Sequence, residues 1–149
     1  VCKDFTAIKR FIAAGVNVIM LSGDAFNERM AKKRNIDFYC SRNKDLSLDK
    51  SRYVEIFSDR YNIPVENMAF VGDDYFDLSI FRKLDHTFCP NDSPNIIKKH
   101  ASVTLKSDGG SGVIVELYDL FESSGWLKEA SEDAVAALDK KEITSKEMS

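Results

Sequence analysis

The 149-residue chain lacks the features that mark several classes of protein. It has no apolar run near the roughly 20 residues that a transmembrane helix needs, and we expect no signal peptide. Lys and Arg are scattered and the formal net charge is −3, which disfavours a nucleic-acid surface because such surfaces carry a basic stripe. We therefore expect a cytoplasmic protein with no membrane and no nucleic-acid partner.

Cysteine is scarce: Cys2, Cys40 and Cys89 are far apart in the sequence. With an odd count and no CxxC pair, we expect neither a disulfide framework nor a zinc site, but reduced and mostly buried thiols. Hydrophobic residues make up 44% of the chain, which is enough for a packed core. The length suits one domain.

Short β-branched runs alternate with amphipathic helical segments along the chain. VNVIML (16–21) and ENMAFVG (66–72) indicate buried strands, and SLDKSRYVEIFSDRYNI (47–63) indicates a helix. The alternation predicts an α/β fold, a Rossmann-like doubly wound parallel sheet with helices on both faces. We assign residues 1–127 to this core and the charged residues 128–149 to a C-terminal helix or tail.

Three carboxylates, Asp73, Asp74 and Asp77, crowd the end of the strand that leads into Gly72. Sheets of this kind bind ligands beyond the carboxyl ends of their strands. A helix that starts here brings Asp73 and Asp77 near each other. Mg²⁺ would relieve their repulsion, since it is usually held by one or two carboxylates with waters and phosphate. The alternative is an ordinary helix start, where Asp residues cap the first turn.

Ser22 and Gly23 form a second turn at a strand end, and Lys50 opens the helix after the loop CSRNKDLSLD. A hydroxyl and backbone N–H groups at a helix N-terminus suit a phosphate oxygen. A lysine in that position opposes the helix dipole, which suggests an anionic partner elsewhere. The alternatives are a plain N-cap for Ser22 and a solvated side chain for Lys50.

The order of these segments resembles motifs two, three and four of the haloacid dehalogenase superfamily. The motifs read VIMLSGD, LDKSRYVEIF and AFVGDDYFDLSI, and PNDSP and DGGSG follow in the family's order. From Val1 to about Leu127 the chain is similar to a cap-less branch of that superfamily. The branch contains 3-deoxy-D-manno-octulosonate 8-phosphate phosphatases, nonulosonate 9-phosphate phosphatases and the phosphatase-like domain of acylneuraminate cytidylyltransferases.

The resemblance implies a Mg²⁺-dependent phosphomonoesterase that hydrolyses a sugar-acid phosphate of lipopolysaccharide or sialic acid biosynthesis through an aspartyl-phosphate. It implies that Asp73 binds the metal, that Asp74 lies next to this ligand without touching the metal, and that Asp77 lies there too or braces Lys50. It also implies Lys50 and Ser22 as catalytic phosphoryl-binding residues, and Gly23 and Asp24 beside the substrate.

The resemblance also implies a homotetramer, in which neighbouring subunits cover the open site. The family's nucleophile and its acid–base aspartate lie on a first strand, and no such strand precedes Val1, so we expect the sequence to be a piece of a longer protein. Asp24 stands where the family often has Arg, and an acid there would repel a substrate carboxylate. The alternative function is a catalytically weak or inactive domain that serves oligomerisation of a cytidylyltransferase-type protein.

Overall fold

The computed structural model describes residues 2–24, 26–41, 49–127 and 132–138. In chain order its elements are α1 (Cys2–Ala13), β1 (Ile19–Ser22), α2 (Phe26–Lys33), β2 (Asp37–Cys40), α3 (Arg52–Tyr61), β3 (Ala69–Val71), α4 (Leu78–Phe81), β4 (His86–Cys89), α5 (Asn95–His100), β5 (Val103–Thr104) and α6 (Val113–Ser123). Short 3-10 turns precede β3 and α4, at Val65–Asn67 and Tyr75–Asp77.

The chain divides into two compact units. The strand-pair unit comprises Cys2–Leu46 and Tyr118–Ser149, and the three-strand unit comprises Ser47–Leu117. The boundary falls within α6. Of the predicted C-terminal segment 128–149, residues 132–138 are helical, and the others lie outside the described residues.

The strand-pair unit holds a parallel pair of strands and packs aromatic residues against α1. In the pair, Ser22 at the end of β1 lies opposite Cys40 at the end of β2. Phe11 of α1 is buried, and its ring contacts Tyr118 and Phe121 edge-on at centroid distances of 5.0 and 5.5 Å. Edge-on aromatic pairs stabilise beyond the area they bury, so the apolar stripe of α1 forms the core of this unit.

The three-strand unit is a parallel sheet in the order β3-β4-β5. Its central strand, β4, is the most buried, with Thr87, Phe88 and Cys89 nearly inaccessible to solvent. Leu78, Phe81, Cys89 and Ile97 form a core cluster that brings α4 and α5 against this strand. The carboxyl ends of β3 and β4 therefore lie side by side, which places the residues after each strand at one edge.

The structure confirms the α/β fold with parallel strands but corrects the predicted burial of two of them. The residues of β1 are half-buried, as are Phe70 and Val71 of β3, whereas Ala69 of β3 is exposed. Among the described strands, each of these two pairs with a neighbour on one side, whereas β4 is covered by strands on both sides. A run of apolar residues identifies a strand but does not fix its position within the sheet.

The helix predicted over residues 47–63 spans Arg52–Tyr61, and its end is set by Asn62, whose φ of 53° is left-handed. Of the cysteines whose side chains are described, Cys89 is buried and Cys40 half-buried, and both are free thiols. No helix within the described parts of the chain is long and apolar enough to cross a membrane.

Candidate active site

Lys50 and Asp77 form a largely buried ion pair in the three-strand unit. The Lys50 Nζ donates a hydrogen bond to Asp77 Oδ1 at 2.7 Å, and the two side chains are 15% and 7% exposed. Lys50 precedes α3 and Asp77 precedes α4, so the pair joins two segments 27 residues apart. A charge so poorly exposed is costly without a partner, and the lysine is therefore not the solvated side chain that the sequence left open.

The position of Asp77 depends on Gly72. A Cβ atom at Gly72 would lie 2.5 Å from Asp77 Oδ2 and 2.5 Å from Phe70 Cε2, so no other residue fits without displacing both of them. The same Oδ2 accepts a hydrogen bond from the Asp74 N–H at 3.0 Å. The missing side chain of Gly72 thus leaves room for the Asp77 carboxylate beside the end of β3, where Asp77 binds Lys50.

Asp74 caps the 3-10 turn that carries Asp77. Its Oδ1 accepts a hydrogen bond from the Phe76 N–H at 3.2 Å, and its own N–H is held by Asp77 in return. This reciprocal capping box is the ordinary helix-start role that the sequence offered as an alternative for these aspartates. It accounts for Asp74 and, in part, for Asp77, but it leaves Asp73 unexplained.

Asp73 carries a negative charge that no described cation pairs. Partial burial of its carboxyl group raises the pKa above its ordinary value, although the side chain as a whole is exposed. The charges of Asp77 and then Asp74 raise this pKa further, and Asp92 adds a smaller effect in the same direction. Lys50 already pairs with Asp77, so the remaining uncompensated charge at this edge is centred on Asp73.

A divalent cation fits this arrangement through the chemistry of its donors. Carboxylate oxygen is the ligand that Mg²⁺ prefers, and one or two carboxylates with waters and phosphate are its usual set. Among the described residues, no group of three or more His, Cys, Asp or Glu side chains has a geometry that could hold a metal ion. Asp73 as a metal ligand therefore stays a prediction made from the sequence.

Further hydrogen bonds fix the turn that carries Lys50. Asp49 Oδ1 accepts a hydrogen bond from the Ser51 N–H at 3.0 Å, and this bond lowers the pKa of the Asp49 carboxyl. Lys83 Nζ donates to the Ser51 carbonyl oxygen at 3.4 Å and also pairs with Glu55. The backbone around Lys50 is thus fixed both from within the turn and from the segment after α4.

Ser22, Gly23 and Asp24 form the turn after β1 in the strand-pair unit. The Ser22 Oγ accepts hydrogen bonds from the Asp24 N–H at 3.1 Å and from Asn27 Nδ2 at 3.0 Å. A hydroxyl has two acceptor lone pairs and one hydrogen to donate. Both bonds hold the turn, and α2 begins only at Phe26, so Ser22 is bonded within the turn and is not the residue that directly precedes the helix. Its phosphate-binding role stays a prediction.

The sequence argument did not single out Asp92 as a site residue. It lies after β4, at the same sheet edge as Asp73, and its Oδ1 accepts a hydrogen bond from the Gly109 N–H at 2.8 Å. The loop that contains Gly109 is held again by Glu116, whose two carboxylate oxygens accept the N–H groups of Lys106 and Ser107, each at 2.8 Å. The rule that ligands lie beyond strand ends applies to Asp92 as it does to Asp73. Its position after a predicted strand could therefore have identified Asp92 as a candidate.

A family model for haloacid dehalogenase-like hydrolases matches residues 43–117, which include Lys50, Asp73 and Asp77. A candidate phosphatase of Metamycoplasma hominis is 26% identical over 69 residues. That match takes in 46% of this chain and 24% of the relative. The chain therefore spans about a quarter of the length of the relative that it matches.

Solved structures give a longer match. The cobalt-bound deoxy-D-mannose-octulosonate 8-phosphate phosphatase of Haemophilus influenzae is 25% identical with a TM-score of 0.73, over 83% of this chain and 69% of that one. A YrbI-family phosphatase candidate of Pseudomonas syringae is 26% identical with a TM-score of 0.73, over 84% of this chain and 70% of that one. In both, the likeness takes in most of the present chain.

Proposed function

Because the chain belongs to the haloacid dehalogenase-like hydrolases, we propose that it acts in a Mg²⁺-dependent phosphatase that hydrolyses a sugar-acid phosphate. The substrate class is an octulosonate 8-phosphate or a nonulosonate 9-phosphate. The observation that carries the proposal is the Lys50 amine, fixed by Asp77 beside a strand-end carboxylate, Asp73, whose charge no described cation compensates.

Lys50 would bind a phosphoryl oxygen. Its ammonium group has three hydrogens to donate, and Asp77 occupies one of them at 2.7 Å. The remaining donors are held in place by a partner that is itself fixed, which is the preorganisation that stabilises charge developing on a transferring phosphoryl group. From the family resemblance, the Ser22 hydroxyl would also bind a phosphoryl oxygen.

Asp73 would hold the metal ion. When bound, Mg²⁺ neutralises charge on the phosphoryl oxygens and offsets their repulsion from a carboxylate nucleophile. The family's reaction proceeds through an aspartyl-phosphate, and we assign no described residue as its nucleophile. Asp74 and Asp77 would not bind the metal themselves. Their hydrogen bonds fix the backbone of the turn that follows Asp73.

The similarity to the Haemophilus influenzae enzyme supports the substrate class and a divalent metal, since that protein acts on an octulosonate phosphate and was solved with cobalt. Asp24, exposed in the Ser22 turn, would disfavour a substrate carboxylate at that point. The nine-carbon substrates are therefore to be compared directly with the eight-carbon one.

The test combines metal binding with activity. Mg²⁺ titrated into the protein by calorimetry should bind at one site, and Asp73→Asn should abolish that binding together with the hydrolysis of both sugar-acid phosphates. Asp59→Asn is the matched control, because Asp59 is an exposed aspartate on α3. Full activity and full metal binding in Asp73→Asn would contradict the assignment.

Ser22→Ala separates an active phosphatase from the oligomerisation alternative. Loss of one donor to a transition-state oxyanion typically lowers turnover by about 10²–10³-fold, and the variant should keep the wild-type fold because Ser22 is only partly buried. In the full-length protein, Mg²⁺ binding without hydrolysis of either substrate would favour the oligomerisation function.

A further inference from the structure

Two aromatic side chains lie exposed between the aspartates of the candidate site. Tyr75 and Phe76 are 63% and 65% exposed, which is more than any other large apolar side chain in the described part of the chain. Their rings contact each other edge-on, with centroids 6.0 Å apart and planes at 84°. Exposed single apolar residues are ordinary, but two adjacent aromatic rings form a continuous apolar surface beside charged groups.

The backbone that carries the two rings is fixed. Asp74 accepts the Phe76 N–H, Asp77 holds the Asp74 N–H, and Asp77 is itself held by Lys50. Leu78, which follows Asp77 in the chain, is buried in the core. The rings are therefore carried by a preorganised turn, which a ligand does not need to order when it binds.

The flanking charges indicate what kind of partner covers the rings. Asp73 and Asp74 are both exposed next to Tyr75. A protein surface laid over the rings would remove these carboxylates from water as well, and burying unpaired charges is costly. A small ligand can cover an aromatic face and leave the carboxylates in contact with solvent or a metal ion, so the charge pattern favours a small molecule over a second chain.

We propose that Tyr75 and Phe76 form a platform for the ring of the substrate, and that they select cyclic phosphate esters over acyclic ones. The inference rests on the proposed function, because it assumes that the phosphoryl group lies at Lys50 and Asp73. Aromatic side chains present a large apolar face, and the C–H face of a pyranose is the part of a sugar that such a face accepts. The rings thus determine specificity without taking part in the reaction.

The kinetic test compares two esters of one phosphoryl chemistry: glucose 6-phosphate, which carries a ring, and glycerol 3-phosphate, which does not. Tyr75→Ala and Phe76→Ala should each lower kcat/KM for the ring ester by about tenfold, the scale of one well-formed aromatic contact, and leave kcat/KM for the acyclic ester within about twofold. Ile56→Ala is the control, since Ile56 is an exposed apolar side chain on α3. It should change neither value.

A binding test separates this inference from the proposed function. Saturation-transfer NMR with glucose 6-phosphate should show contact with the sugar ring protons in the wild type, and that contact should weaken in Tyr75→Ala and Phe76→Ala but not in Ile56→Ala. If the wild type hydrolyses neither ester and neither sugar-acid phosphate while the ring contact follows the two aromatic residues, the proposed function fails and the platform stands. An equal loss on both esters overturns the platform and leaves the proposed function intact. A change of oligomeric state in the two variants, seen by light scattering, also overturns it, because a second copy would then be what covers the rings.

Discussion

Lys50 and Asp77 are held 2.7 Å apart as a charged pair with 15% and 7% of their side chains exposed. Removing one member leaves the other charged and poorly solvated, which typically costs about 3–5 kcal/mol. We expect Lys50→Met to lower the free energy of unfolding by about 3 kcal/mol, at the lower end of that range. Urea denaturation followed by circular dichroism measures this loss.

The double variant Lys50→Met/Asp77→Asn distinguishes the unpaired charge from the lost side chain. With both charges removed, and with an amide oxygen still present for the Asp74 N–H, most of the stability should return. Phosphatase activity should not return, because the phosphoryl-binding ammonium is still absent. Glu55→Gln breaks the exposed pair with Lys83 and should leave the unfolding midpoint almost unchanged, since exposed pairs contribute little. If the double variant is no more stable than the single one, the buried-charge explanation is wrong.

Gly72 should tolerate no side chain. The Cβ atom of Gly72→Ala would lie 2.5 Å from Asp77 Oδ2 and 2.5 Å from Phe70 Cε2, and overpacking of this kind typically costs about 1–3 kcal/mol. Because the Asp77 carboxylate is one of the two groups that must move, activity should fall together with stability. Thermal unfolding and a phosphatase assay measure the two effects.

Gly109→Ala is the matched control for this substitution. A Cβ atom there would lie 3.5 Å from Asp92 Oδ1, an ordinary van der Waals distance. It should therefore change stability much less than Gly72→Ala. Equal losses in the two variants would show that glycine flexibility, rather than the contact with Asp77, determines the effect.

The sequence predicted the parallel α/β fold because alternating strands and helices leave a strong local pattern. The crowding of Asp73, Asp74 and Asp77 also pointed to one strand end. The sequence could not predict contacts between distant segments of the chain. The Gly72–Asp77 contact depends on the path of one short turn, and the influence of Asp92 on Asp73 depends on the pairing of β3 with β4. Periodicity carries no information about such distances.

The spacing of apolar residues along a helix also fails to predict the solvent exposure of every residue on its apolar stripe. Helical spacing over residues 47–63 places Ile56 on the same apolar stripe as Tyr53 and Phe57, yet Ile56 is 39% exposed while the other two are buried. A helical stripe about 100° wide or more is buried to a depth set by the element that it packs against. The edge of the stripe therefore cannot be assigned from spacing alone.

A homotetramer remains a prediction from the resemblance to the cap-less phosphatases. Trp126 is 50% exposed, and its ring contacts Phe121 at a centroid distance of 5.0 Å, so we expect its exposed part to contribute to a subunit contact. Multi-angle light scattering at micromolar concentration should give a tetramer, and Trp126→Ala should shift it to smaller species. Ile96→Ala, which alters an exposed residue of α5, is the control. A wild-type monomer would remove the argument for a site covered by neighbouring subunits.

Glu116 should make the stability of the glycine-rich loop depend on pH. Burial tends to raise the pKa of its carboxyl, but the hydrogen bonds from Lys106 and Ser107 outweigh burial and lower the pKa below its ordinary value of 4.5. A carboxyl with a lowered pKa in the folded state stabilises the fold above its unfolded pKa, and this contribution is lost as the pH falls through the folded pKa. Glu116→Gln should therefore be less stable than the wild type at pH 7, and the difference should shrink as the pH falls below about 4.5. Asp119→Asn, an exposed carboxylate on the same helix, is the control and should show no comparable trend. Urea denaturation of the three proteins from pH 3 to pH 7 measures how the free energy of unfolding depends on pH. A difference between the wild type and Glu116→Gln that stays constant over this range would contradict the charge-based explanation.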